Sequence, residues 1–347
     1  MNAPEQTTAR SAGSGDRFRR LVAAAALLTL CLIMLGAYVR LTDAGLGCPD
    51  WPGCYGKLSP AHAHTEIASA VQQQGGEHGP VSVGKAWREM VHRYIATGLG
   101  LLIIAIAVLA WRWRRRLPDG PWLATALVGV VILQGLFGKW TVTLLLKPAI
   151  VTGHLIGGLL TLSLLVWLWQ RQRPRPETVD YEPLAALRPF AMLGLALLVA
   201  QIVLGGWTST NYAALACTDL PTCQGQWWPQ TDFANAFHVL RELGRTGDGG
   251  LLAFPALTAI HLAHRIGAVV VGLYLLWLGI RSLRTPGAGT LGAWLLAAVT
   301  IQWLLGLSNV FFSLPIGVAV AHNGGAAVLL ALLVMLNFEA ARARLRL

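Results

Sequence analysis

The 347-residue chain reads as an all-α integral membrane protein. Its eight transmembrane helices form two four-helix bundles, parallel repeats related by a pseudo-twofold axis. Three observations lead there. Hydrophobic residues make up 55% of the chain and charged ones 12%, with a mean hydropathy of +0.56, whereas soluble proteins carry about 25% charge. Long stretches carry no charge at all. Four distinctive features recur in the same order at offsets of 168 to 172 residues. This composition excludes a soluble enzyme, a disordered chain and a small disulfide scaffold. The 38 glycines and 17 prolines show no collagen-like period.

Uncharged runs cover residues 21–39, 94–111, 121–138 and 149–170, then 189–206, 266–280 and 285–338. About 20 apolar residues cross a bilayer, so the last run is two spans, divided at Ser313-Leu314-Pro315. The second span must begin near Trp87 and the sixth near Pro255 to be long enough. Glu89, His92 and Arg93 then lie inside the one, and His261, His264 and Arg265 inside the other. Span one follows basic residues, as a signal peptide would. Its apolar core exceeds the roughly 7–15 residues of a signal h-region, so it is read as retained.

The net charge of +11 is unevenly placed. Arginine clusters precede span one, follow spans two, four and six, and close the chain. That side holds 17 basic and 7 acidic residues, against 10 and 9 on the other. The positive-inside rule puts both termini in the cytoplasm of a multi-pass bacterial inner-membrane protein. The basic charge is topogenic, and no nucleic-acid partner is expected.

Cys48 and Cys54 recur as Cys217 and Cys223, His92-Arg93 as His264-Arg265, Gln134 and Gly138 as Gln302 and Gly306, and His154-x-x-Gly157 as His322-x-x-Gly325. The expected organisation is a tail at 1–20, a first half at 21–173, a linker at 174–187, a second half at 188–340 and a tail at 341–347. Outer segments 40–86 and 208–254 each begin with a C-x5-C pair. In an oxidising outer compartment such pairs are expected as disulfides. They either staple loops or exchange electrons; the spacing, which is not C-x-x-C, favours a staple. Cys31, alone in span one, is expected to pack as a small apolar residue.

Ionisable residues inside a membrane are costly and default to functional candidates. His92, His154, His264 and His322 occupy the four even spans, all running inward, about five to eight residues from the outer end. That is about 8–12 Å deep at about 1.5 Å per residue. Equal depth on two parallel helices suits one flat ligand held from both faces, and imidazole is a standard axial ligand of haem iron. Two bis-His haem sites are therefore expected. Gly157, Gly158, Gly324, Gly325, Gly98, Gly100 and Gly267 nearby leave room for a macrocycle or for close helix packing. Arg93 and Arg265 are candidates to pair with haem propionates or to snorkel to the interface. Glu89, one turn before His92, is a candidate acid or base, or a partner of Arg88 or Arg93; its counterpart is His261. His62, His64, His78 and His238 are expected in solvent, and His62-x-His64 alone is a poor metal site.

The stretch Arg40-Leu41-Thr42, then Gly45-Leu46 and Cys48-Pro49-Asp50-Trp51-Pro52, resembles the first outer loop of haem A synthases. So does Glu89-x-x-His92-Arg93, with single histidines in later even spans. The resemblance covers essentially residues 21–338. It implies oxidation of haem O to haem A for terminal cytochrome oxidases, the C8 methyl being hydroxylated twice to give a formyl group. It implies that His92 and His154 hold the substrate haem through its iron, that His264 and His322 ligate a haem b cofactor, and that Glu89 is catalytic. It also implies Cys48–Cys54 and Cys217–Cys223 disulfides. No role is carried onto residues 61–86 and 232–250. Two other classes stay open: a di-haem b-type electron carrier oxidising quinol, and a haem transporter or assembly chaperone. The expected partners are a haem substrate and the lipid bilayer; haem O synthase, oxidase assembly factors and a second copy of the chain follow on pathway grounds only.

Overall fold

In a computed structural model, the residues described are 4–74, 76, 79, 81–117, 120–173 and 181–344, the side chains of 4–14 and 181 excepted. His78 and residues 174–180 of the expected linker lie outside them. The helices run, in order, α1 Pro4–Leu41, α2 His64–Gln73, α3 Val83–Arg112, α4 Trp122–Thr143, α5 Pro148–Arg171 and α6 Tyr181–Ala186. There follow α7 Arg188–Thr210, α8 Phe233–Ala236, α9 Phe254–Leu283, α10 Gly289–Phe311 and α11 Ile316–Arg344. Eight of them, all but α2, α6 and α8, are long and apolar enough to cross a membrane. No β-strand occurs among the described residues, only isolated bridges.

Local sequence sets the helix ends. Proline occupies the first turn of α5, α7 and α9, where its missing N–H has no intrahelical partner to lose. Ser82 caps α3, its Oγ accepting from Lys85 N at 3.2 Å. α4 and α10 stop at paired left-handed residues, Leu145-Leu146 (φ 47° and 57°) and Ser313-Leu314 (φ 54° and 63°). In each case the second residue's N–H returns five positions, Leu146 N to Thr141 O at 2.9 Å and Leu314 N to Asn309 O at 2.7 Å. These bonds occupy carbonyls that a helix end otherwise leaves open.

α1 packs on α3 and α5, with α4 against both α3 and α5; α7 packs on α9 and α11, with α10 against both. The two groups meet through α1, α5, α7 and α11. Lipid tails are as apolar as leucine, so close approach and polar contacts hold such helices together. Gly292 lies against α9 so closely that a Cβ would be 2.8 Å from Gly279 O. Asn337 Nδ2 donates to Ala191 O at 2.9 Å, tying α11 to α7. Trp303 Nε1 donates to Ala268 O at 3.1 Å, tying α10 to α9. Leu101, Val108, Val270 and Leu304 point outward and exposed, as a lipid-facing surface requires.

Three points differ from the sequence reading. α3 begins at Val83, a turn before Trp87, because Ser82 supplies a cap there. His92 thereby sits deeper from its helix start than His154 and His322, as does His264 on α9, which starts at Phe254. α6 fills the end of the stretch read as linker. Cys31 is exposed on α1 rather than packed inside the protein.

Candidate functional site

The outer loops form a rigid rim. Cys48–Cys54 and Cys217–Cys223 are disulfide-bonded. Each is followed by a tight turn whose ends pair, Cys54 with Lys57 at 2.8 and 3.0 Å and Cys223 with Gln226 at 2.9 and 3.1 Å. A carboxylate sits inside each disulfide loop. Asp50 accepts from Tyr55 N at 2.6 Å and Gly56 N at 2.8 Å. Asp219 accepts from Gln224 N at 2.6 Å, Gly225 N at 3.0 Å and Thr222 Oγ1 at 2.5 Å. The Thr222 hydroxyl and these amides hold the Asp219 carboxyl down to about 2.

The two arginines bind these loops to their helices. Arg93 Nη1 donates to Asp50 O at 2.9 Å and Gly53 O at 2.5 Å. Arg265 Nη1 donates to Asp219 O at 2.8 Å and Thr222 O at 3.0 Å, and its Nη2 to Cys217 O at 2.7 Å. One turn before each arginine stands a second anchor. Glu89 Oε2 accepts from Cys48 N at 2.9 Å, and Glu89 Oε1 from Arg93 Nη2 at 2.6 Å. His261 Nδ1 accepts from Cys217 N at 3.2 Å. Glu89 and His261 therefore do the same local work. Both are buried, and the Arg93 pairing is one of the two partners the sequence left open for Glu89.

Beneath the rim of the first four spans, His92 on α3 and His154 on α5 face each other with ring centroids 6.5 Å apart and planes at 63°. Two imidazoles sharing one metal need about 2.0–2.1 Å from each nitrogen to the ion. With roughly 1 Å from each nitrogen to its ring centre, the centroids stand roughly 6 Å apart. The observed spacing suits that. Among the described residues no three His, Cys, Asp or Glu side chains converge as a metal site. An ion gripped by this pair alone needs its remaining ligands from outside the protein, and a porphyrin supplies four in one plane.

In the last four spans, His264 on α9 and His322 on α11 line one cavity of about 930 Å³. That lies at the upper end of the roughly 300–1,000 Å³ of ligand pockets. Gln201 Oε1, Gln302 Oε1, Asn309 Oδ1, His322 Nδ1 and Arg265 Nε all line it, and all are buried without a hydrogen-bond partner. Unpaired polar atoms inside a membrane are expensive, and five around one apolar cavity fit a large guest with a polar centre and edge. The loop contacts of Arg265 use its Nη1 and Nη2 and leave Nε–H unused. At the outer rim, Arg40 Nη2 donates to Ser209 O at 2.8 Å, its guanidinium lies 3.9 Å from the Tyr212 ring centre, and Tyr212 Oη donates to Asp43 at 2.7 Å. Burial raises the Tyr212 phenol above its usual range.

A family model described as cytochrome oxidase assembly protein matches residues 19–334. The chain belongs to that cytochrome oxidase assembly family. A protein named haem A synthase from Shewanella oneidensis is 44% identical over 313 residues, covering 90% of this chain and 93% of the relative. Proteins of the same name from Rhizorhabdus wittichii and Sinorhizobium medicae are each 26% identical, over 89% of both chains in the first case and 94% and 92% in the second.

Within this member of the cytochrome oxidase assembly family, the glycines beside the histidines have a different task from the one the sequence offered first. A Cβ on Gly157 would meet Gln134 Oε1 at 2.1 Å, one on Gly325 would meet Gln302 Oε1 at 2.2 Å, and one on Gly267 would meet Gln201 Oε1 at 2.2 Å. Gly324 receives Met34, and Gly98 faces open space. Close side-chain packing, not clearance for a macrocycle, explains these three. Sequence reasoning passed over Gln201, whose Nε2 lies 3.0 Å from His264 Nδ1, and Gly36 and Gly205, against which His92 and His264 pack. The signal was there: Gln201-x3-Gly205 has the same spacing as Gln134-x3-Gly138. Of the described outer histidines, His62 stands away from the pairs, its Nδ1 sharing a hydrogen bond with Ser59 Oγ at 2.8 Å in solvent.

Proposed function

We propose that this chain is a haem A synthase: it oxidises the C8 methyl of haem O to a formyl group, giving haem A for a terminal oxidase. The observation that carries this is the His92–His154 pair at metal-sharing distance in a chain 44% identical, over nine-tenths of its length, to a protein of that name. His92 and His154 hold the substrate haem through its iron, and His264 and His322 hold a haem b. When bound, haem b supplies one-electron transfer. The two sites belong to two four-helix halves, 21–173 and 188–340, related by a pseudo-twofold axis along the membrane normal, with both termini in the cytoplasm of an inner membrane. The repeated disulfide, arginine clamp and glutamine contact support that relation.

Glu89 stands one turn before His92. Held by Arg93 and the Cys48 amide, it keeps a fixed position and could take a proton from, or give one to, a haem held by the pair, at Oε1 or Oε2. Arg93 and Arg265 anchor the disulfide loops over their sites, and the Arg265 Nε orients a propionate. The test is direct: purified protein given haem O under air and a reductant should yield haem A by mass spectrometry, and none should form on Glu89→Ala. Haem O returned unchanged by well-folded wild-type protein with both sites filled would overturn the assignment.

A further inference from the structure

Each histidine of the quartet packs on a glycine of the spanning helix that precedes its own. Gly36 on α1 lies against His92, Gly138 on α4 against His154, Gly205 on α7 against His264 and Gly306 on α10 against His322. A Cβ at these positions would stand 3.1, 3.5, 3.0 and 3.3 Å from the ring. Four residues before the glycine, three of the helices carry glutamine: Gln134, Gln201 and Gln302. The fourth carries Leu32. Each glutamine Nε2 donates to the main-chain carbonyl of its histidine, at 2.6 Å for His154, 2.9 Å for His264 and 3.0 Å for His322.

Each of the three carboxamides is seated on a glycine three residues after its histidine: Gly157, Gly267 and Gly325. The position three after His92 is Ile95. The first helix pair thus lacks both the glutamine and the glycine that receives it. The three amide oxygens are buried without partners, and so are His154 Nδ1 and His322 Nδ1. An imidazole that binds metal through one nitrogen carries its proton on the other, and that N–H is almost always given to an acceptor. At His264 the carboxamide is already within reach, Gln201 Nε2 lying 3.0 Å from Nδ1, and turning it end for end, its two ends being nearly alike in shape, would present the oxygen there as the acceptor.

We propose that Gln134, Gln201 and Gln302 are positioning residues that lock His154, His264 and His322 as permanent iron ligands. His92, with Leu32 and Ile95 where the lock would be, is the ligand built to let go. This rests on the haem assignment above and sharpens it: the iron that can open a coordination position is the substrate's, on its α3 side.

The experiment uses full-length protein purified in detergent, loaded with haem, reduced and exposed to carbon monoxide. Haem O at the first site should bind the gas, and haem b should not. Gln201→Leu should let haem b bind it, raising the bound fraction at least tenfold, whereas Gln201→Glu, which keeps an acceptor, should behave as wild type. Leu32→Gln with Ile95→Gly should slow binding at the substrate site at least tenfold. Loss of haem b from Gln201→Leu but not from Gln201→Glu supports the same role in stronger form. Identical behaviour of Gln201→Leu, Gln201→Glu and wild type overturns the proposal, as does unchanged gas binding in a haem-replete Leu32→Gln/Ile95→Gly protein. If wild-type protein shows no bis-imidazole haem spectrum at all, the haem assignment itself fails.

Discussion

The first and last four spans share one frame and part company where chemistry is decided. Both carry a disulfide turn, a carboxylate inside it, an arginine clamp beneath it and a histidine pair below that. Their differences around the outer histidine include Glu89 against His261, Leu32 against Gln201, and Ile95 against Gly267. Each difference either brings charge to the first pair or removes support from it. On the proposed assignment the same frame would hold one metal group as a fixture and process another, the frame being tied by the arginine clamps that both halves keep.

The comparison breaks most visibly at the iron ligands. His264→Ala or His322→Ala should remove nearly all tightly held haem b, read from the reduced absorbance spectrum. His92→Ala should leave haem b in place and abolish conversion of haem O. Equal spectral losses from all four substitutions would erase the proposed division between the pairs.

Glu89 comes next. Glu89→Ala strands the Arg93 guanidinium and the Cys48 N–H, and removing one partner of a buried ion pair costs about 3–5 kcal/mol. Lost activity alone would not tell catalysis from collapse. Glu89→His separates them, since His261 shows that imidazole can accept the cysteine N–H at this position. A folded Glu89→His protein with its haem spectrum intact and conversion down at least a hundredfold fits a proton-handling carboxylate. Activity within a few-fold of wild type would make Glu89 a loop anchor only.

Packing around the locks should be felt as stability. Gly267→Ala drives a Cβ into the Gln201 amide, and overpacking of this kind costs about 1–3 kcal/mol. Gly98→Ala meets open space and should shift thermal unfolding in detergent by less than a degree or two. Cys48→Ser, which opens only a short loop, should cost about 2 kcal/mol and matter less to activity than any histidine replacement.

The smallest effect concerns pH. The Asp219 carboxyl is held down to about 2 from an unfolded value of about 3.9. A depressed carboxylate stabilises its turn fully above the unfolded value and loses that contribution as pH falls through the folded one. Amide exchange at Gln224 and Gly225, corrected for its intrinsic rate, should stay slow down to about pH 4 and quicken towards pH 2. Asp219→Asn should be fast throughout.

Much of this was legible in the residues. Uncharged runs marked the spans because a bilayer tolerates little else, and the four histidines stood out because an ionisable group there is costly. Offsets in cysteine and histidine position revealed the repeat. What stayed hidden depended on facing helices. Glu89 and His261 looked like a broken symmetry, yet both cap a cysteine amide, a likeness visible only once the loop lies over the helix. Whether Gly157 and Gly325 gave clearance for a ligand or close packing stayed open, because no periodicity says which side chain a glycine receives. Gln201 was passed over because its counterpart is Leu32, and a search for what repeats misses what one copy has lost.

The central claim, iron gripped between paired imidazoles once in each half, is tested most directly by low-temperature electron paramagnetic resonance of the oxidised, haem-loaded protein. Two low-spin ferric signals are expected, one vanishing in His322→Ala and the other in His154→Ala. A single signal insensitive to both substitutions, or one lost in common, would contradict it.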